Sequence, residues 1–110
     1  MGTSRELIGA AAAAMGELFD RLPGVVFFAK DAGGRYVAAN QTLLRRLGAH
    51  RAEEVLGRTA LDLFPAPLGR RYLDQDLAVV RSGRPLEDLL ELHLYPDRSE
   101  GWCVTNKVAL

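Results

Sequence analysis

"VVFFAKDAGGRYVAANQ", residues 25–41, sets two short apolar runs on either side of Asp-Ala-Gly-Gly and closes them with an asparagine. Residues 25–29 are apolar throughout and rich in β-branched and aromatic side chains, and Gly24 and Gly33-Gly34 leave no room for a helix. They read as a strand buried on both faces. Asp31-Ala32-Gly33-Gly34 tolerates positive φ, and residues 35–39 resume an extended run, so the pair reads as a β-hairpin. Asn40 then switches the chain into a helix, because its side-chain oxygen can accept the free backbone N–H groups at Gln41, Thr42 and Leu43.

Upstream, Leu7, Ala11, Met15, Leu18 and Leu22 recur at helical spacing, Ser4 can cap the start, and Pro23-Gly24 ends the run. Residues 1–23 therefore read as an amphipathic helix ahead of a body at 24–110. Downstream, Leu43, Leu44 and Leu47 lead to Gly48, and short helical pieces follow at 53–56 and 60–64. The longest helix of the body is expected over 67–82, entered by Pro67 and closed by Gly83, with Leu73, Leu77 and Val80 as its stripe and Tyr72 and Val79 beside it. After Pro85 the period becomes two: Leu90, Leu92 and Leu94 alternate with Glu91, His93 and Tyr95, which predicts a strand with a leucine face toward the core. A turn at 96–101 leads to a last extended run at 102–110. Two pairs of strands separated by a block of helices predict an α+β fold, an antiparallel sheet with helices gathered on one face. The back of that sheet needs cover, and the N-terminal helix can supply it on its own sheet or on that of a second copy.

Composition narrows the function. A chain of 110 residues, 48% hydrophobic and 25% charged, holds one core and one soluble domain. Fourteen basic side chains balance fourteen acidic ones, so net charge recruits neither nucleic acid phosphates nor an anionic membrane, and no direct nucleic-acid binding is expected of this domain. The five alanines at 10–14 lack the basic start and long apolar core of a secretory signal, and no run approaches the ~18 apolar residues of a membrane span, so a cytoplasmic location is expected. The single cysteine, Cys103, fits a reducing compartment and reads as a packed strand residue. Glu53-Glu54 and Asp74 with Asp76 read as exposed helical faces, His50 and His93 as solvated or edge histidines without partners at metal-ligand spacing, and Gly33-Gly34 as a turn, not a phosphate cradle. No enzyme and no metal site is expected.

The ordered set "LPGVVFFAKDAGGRYVAAN", "EEVLGRTALDLF", "DLAVVRSGRPL" and "GWCVTNKVAL" resembles a PAS domain from Gly24 to the C-terminus. More narrowly, "LFPAPLGRRYLDQDLAVVRSGRPL" and "ELHLYP" are similar to PAS segments placed ahead of AraC-type DNA-binding regions in bacterial regulators. The resemblance implies a sensory or dimerising module, a ligand pocket between sheet and helices, and a covalently linked C-terminal effector. It also implies a fifth strand lying between the first and fourth. Four are counted here, at about 25–30, 35–39, 88–95 and 102–110, so the chain is expected to be a fragment. Its strands one and four should then close on each other or recruit a strand from a second copy.

Strand and helix stripes converging on one face predict an apolar pocket lined by Phe28, Val37, Tyr72, Leu73, Leu77 and Trp102, with the Tyr72 hydroxyl and Trp102 indole as polar handles. By resemblance Asn40 occupies a polar family position, although its capping role accounts for it locally. Leu7, Ala11, Met15, Leu18 and Leu22 are the candidate homodimer contacts. The helix at 67–82 carries no axial histidine, and "NQTLLRRLG" lacks the reactive cysteine of a flavin photosensor, so no cofactor is expected; noncovalent flavin or haem stays open. The expected function is therefore a PAS module that binds a small ligand or partner and controls an effector, in a transcription regulator. A ligand-free dimerisation scaffold, and an input module of a sensor kinase or diguanylate cyclase, are the competing readings.

Overall fold

A computed structural model describes residues 4–94 and 100–109, the side chains of residues 4–8, 92–94 and 100 excepted. In chain order the elements are α1 (Ser4–Phe19), β1 (Phe28–Lys30), β2 (Tyr36–Ala39), α2 (Gln41–Arg46), a 3₁₀ turn (Ala52–Glu54), α3 (Ala60–Leu63), α4 (Leu68–Ser82), β3 (Leu86–Leu94) and β4 (Glu100–Lys107). This is the expected α+β order.

The hairpin forms because Asp31 organises its own turn. Its Oδ1 accepts the N–H groups of Gly33 and Arg35 at 2.9 and 3.0 Å, and Gly34 takes φ +82° beneath the Leu73 side chain, where a Cβ would collide. Asn40, 1% exposed, ties both ends of the motif together. Its Oδ1 accepts from Leu43 N–H at 3.2 Å as the cap of α2 and from Phe27 N–H at 3.1 Å, while its Nδ2 donates to the Val25 carbonyl at 2.8 Å. Residues 25–27 are thus tied to the hairpin by Asn40 although the ladder itself begins at Phe28.

Beneath the hairpin, Tyr36, Leu43, Leu44, Leu47, Val55, Ala60, Phe64 and Tyr72 form one core. The junction of α3 and α4 is close-packed at Gly69, where a Cβ would lie 2.6 Å from the Ala60 carbonyl oxygen and 3.1 Å from that of Phe64. On the other side of the hairpin α1 packs on β1 and β2, with Ala12 and Gly16 buried and Phe19 stacked on Phe27 at 5.1 Å. The helix therefore folds onto its own sheet, but not by the expected stripe. Ala11, Met15, Leu18 and Leu22 are exposed, and the side chain of Leu7 lies outside the described residues.

Two further expectations are corrected. The strands form two separate two-stranded antiparallel sheets, β1–β2 and β3–β4, and no ladder closes β1 on β4 among the described residues. The alternation in β3 is also inverted: Glu91 is buried and Leu90 is exposed. The buried carboxylate is held there by α4, whose Gln75 Nε2 donates to Glu91 Oε2 at 2.9 Å. The cross-strand pairs Leu90–Val104 and Glu91–Cys103 then turn Cys103, Thr105 and Lys107 inward with Glu91, and leave Leu90, Trp102 and Val104 outward. His93 and Tyr95 lie outside the described side chains.

Two outcomes test this packing. Gly69→Ala should lower the unfolding free energy by about 1–3 kcal/mol, because its neighbours are backbone and cannot swing aside, and urea denaturation followed by circular dichroism measures it. The Glu54 carboxylate accepts the N–H groups of His50 and Arg51 at 2.6 and 2.7 Å, and these bonds hold its pKa below the ordinary 4.5. The stability this lends is present above that value and lost as pH falls through the folded pKa, so between about pH 5 and about pH 3 Glu54→Gln should lose less melting temperature than the parent.

Candidate functional site: a charged cavity between the two sheets

A cavity of about 360 Å³ lies between the two sheets, where no ladder joins them. Its aromatic walls are two edge-to-face pairs, Phe28 with Tyr36 at 5.7 Å and Phe64 with Tyr72 at 5.0 Å. Arg46, Trp102 and Cys103 also line it, and Arg46 reaches both lips, its Nη2 donating to the Gly24 carbonyl at 3.4 Å and its Nη1 lying 3.9 Å from Cys103 Sγ.

The floor is ionic. Asp76 of α4 receives Lys30 of β1 on Oδ2 and Lys107 of β4 on Oδ1, the latter at 2.7 Å, and all three side chains are about a tenth exposed or less (8%, 7% and 11%). Lys107 Nζ also donates to Gln75 Oε1 at 3.2 Å, and Gln75 carries the network on to Glu91. Two lysines thus face two carboxylates, and the floor is balanced overall. Both ammonium groups also sit over aromatic faces, Lys30 at 4.4 Å from the Tyr36 centroid and 5.0 Å from Phe28, Lys107 at 5.7 Å from Phe28. Burial pulls the Lys30 ammonium below its ordinary pKa, with Lys107 adding to the fall, against the opposing pull of Asp76. Burial, reinforced by the charge of Asp76 and then by Tyr72, pushes the Tyr36 phenol well above its ordinary value, so it remains a hydrogen-bond donor across the neutral range.

The expected lining is only partly assembled. Phe28 and Tyr72 line the cavity, and Trp102 borders it from β4 with its side chain 69% exposed on the outward face; Leu73 packs over Gly34, and Leu77 is half-buried on α4 away from the lining. Val37 is 45% exposed because β2 buries its alternate residues Tyr36 and Ala38, and the register shift between Ala29 and Lys30 pairs Lys30 with Tyr36. Asn40 is occupied by the three backbone partners described above. The lining is also not purely apolar, since Lys30, Arg46, Glu91 and Lys107 belong to it.

The network was hidden by one assumption, that Asp76 shares an exposed face with Asp74. Asp74 does lie outside, 3.4 Å from Arg70. The buried face of α4 is Gly69, Tyr72, Leu73, Asp76 and Val79, so Asp76 stands four residues after Tyr72 and three before Val79. That spacing was the available signal. Among the described residues no group of three His, Cys, Asp or Glu side chains could hold a metal ion, and no helix is long and apolar enough to cross a membrane.

A family model described as the PAS fold matches residues 19–110. Among solved structures the chain is similar to VqmA bound to DPO, at 31% identity over 86% of this chain and 47% of that one, with a TM-score of 0.70. It is similar too to a Vibrio cholerae VqmA dimer in the absence of target DNA, described in terms of LuxR-type receptors (29%, 97% of this chain, 44% of that one, TM-score 0.70). A third similar structure is a VqmA–ligand–DNA complex (29%, 97%, 43%, TM-score 0.70). The chain spans less than half the length of these proteins. The LuxR-type description differs from the AraC-type context of the finer sequence resemblance. A comparison with curated sequences returns no match.

Asp76→Ala leaves two buried ammonium groups facing each other and should cost about 3–5 kcal/mol of stability in urea denaturation. Lys30→Met on that background should recover part of the loss, whereas Asp74→Ala, on the exposed face, should cost little.

Proposed function

The chain belongs to the PAS fold family, and on that premise we propose that it is the sensory module of a ligand-responsive, dimeric, cytoplasmic transcription regulator of the LuxR type. The single observation that carries this reading is the cavity of about 360 Å³ with aromatic walls and an ionic floor. Its volume lies at the small end of the range for ligand pockets. Its chemistry suits a small, planar, neutral molecule that stacks on Phe28, Tyr36, Phe64 and Tyr72, accepts a hydrogen bond from Lys30 or Lys107 and donates one toward Glu91. A formally charged ligand would upset a floor whose lysines and carboxylates already balance.

Likeness to a protein described as bound to DPO, and to one described as a dimer that binds target DNA, supports the ligand and the assembly. Output passes through the two half-sheets. A molecule that engages Lys30 or Lys107 competes with Asp76 for the same protons, and so alters the joint that holds β1, α4 and β4 together. Such a ligand shifts the domain by its differential affinity for the joined and loosened arrangements. A ligand-free scaffold would fill this space with side chains, and the cavity favours the sensor.

Native mass spectrometry of the chain purified from cells, and titration with DPO read by the fluorescence of Trp102, test the reading. A retained small molecule at one per protomer, or saturable quenching weakened at least tenfold by Lys107→Met, is the expected result. No retained mass together with no saturation would remove the sensory assignment.

A further inference from the structure

We infer that Lys30 is a covalent capture site, whose amine condenses with the carbonyl group of a small, neutral, planar aldehyde or ketone in the cavity and holds it as an imine. The inference rests on the reading of the cavity as a ligand site, and adds the bond by which one class of ligand is held there.

Lysine is rare in this chain, and both copies are in the cavity. Every other basic side chain is an arginine. Lys30 and Lys107 line the cavity and converge on Asp76, which stands behind them and is not part of the lining. An arginine would grip a carboxylate at two points and so at least as firmly, but a guanidinium does not give up its proton in a protein. A lysine amine is a nucleophile as soon as it is neutral.

Lys30 is the better placed of the two. Lys107 Nζ is shared between Asp76 Oδ1 and Gln75 Oε1, whereas Lys30 has Asp76 Oδ2 as its one hydrogen-bond acceptor among the described residues. The Phe28 and Tyr36 rings complete its surroundings and offer an ammonium less than water does. Lys107 adds a second cation on the same carboxylate. A desolvated lysine beside another cation is the setting in which an amine reacts near neutral pH. The fall in the Lys30 pKa, caused first by burial, agrees with that setting. The aromatic walls then favour a flat ligand, and a cavity of about 360 Å³ keeps it small.

The step balances without an oxidant or reductant. The Lys30 ammonium passes one proton to Asp76 Oδ2, its freed electron pair forms a C–N bond to the carbonyl carbon, and the carbonyl π pair moves to oxygen. A second proton passes from the nitrogen to that oxygen and gives a carbinolamine. Asp76 then returns its proton to the hydroxyl, the C–O bond breaks, and water leaves as C=N forms. The third proton stays on nitrogen, so the product carries one positive charge, as the ammonium did. Asp76 keeps both cations and the floor stays balanced.

Benzaldehyde is the probe. The full chain is incubated with it and with sodium cyanoborohydride, which reduces an imine to a stable amine, and the product is mapped by peptide mass spectrometry. One benzyl group per protomer on Lys30, formed at least tenfold faster than on Lys107, is the expected result. Before reduction, native mass spectrometry should show a complex lighter by one water than its two components. Lys30→Arg, which keeps a cation beside Asp76, should lose that species without a change in circular dichroism. Persistence of the species in Lys30→Arg, or labelling that is equal on both lysines or confined to Lys107, would overturn the assignment to Lys30. A benzaldehyde complex of undiminished mass, or saturation by DPO, with no adduct on Lys30 would overturn the imine and leave the ligand site standing. Absence of adduct, complex and DPO saturation together would remove both.

Discussion

One carboxylate joins three parts of this molecule that share no backbone ladder. β1, α4 and β4 meet at Asp76, which takes a lysine from each of the two sheets. The sheets are otherwise held apart by the cavity, so the register of one against the other is set by side chains. Buried ions give a joint of this kind direction but little net stability, because desolvation offsets most of the attraction. The depressed pKa of Lys30 records that balance: burial outweighs its partner.

The same network explains the unusual strand. Glu91 lies inward because Gln75, beside Asp76 on α4, links it to Lys107. Four charged groups and one amide thus form a closed set in which each ion has an opposite or amide partner. The consequence is structural as well as electrostatic, since turning Glu91 in turns Leu90 out. The polar floor of the cavity and the apolar patch on the back of the sheet are two sides of one choice of register.

Much of this fold could be read from local chemistry. Asp31, Gly34 and Asn40 act through backbone neighbours a few residues away, and such interactions leave a mark in sequence order. The α+β order, the hairpin and the limits of α4 follow from them and from helical spacing. The site was harder to read because its residues come from positions 30, 76, 91 and 107, and their burial depends on one another. Each alone looks like a solvent-facing charge. Period-two alternation correctly indicated a strand in β3, but it could not say which face is buried when a buried carboxylate has a partner on another element. Val37 failed as a lining residue for a related reason: β2 buries Tyr36 and Ala38, and a four-residue run does not by itself say which of its two faces is inward. In α1 the small residues Ala12 and Gly16, and not the predicted stripe beside them, are the packing side, where close approach counts for more than hydrophobicity.

The ionic joint also sets how the molecule responds to heat. The penalty for withdrawing charges from water falls as temperature rises, whereas the contribution of apolar burial levels off. Warming therefore strengthens the Lys30–Asp76–Lys107 junction relative to the Leu43–Leu44–Val55 core around it. A domain joined in this way has a temperature coefficient built into its packing.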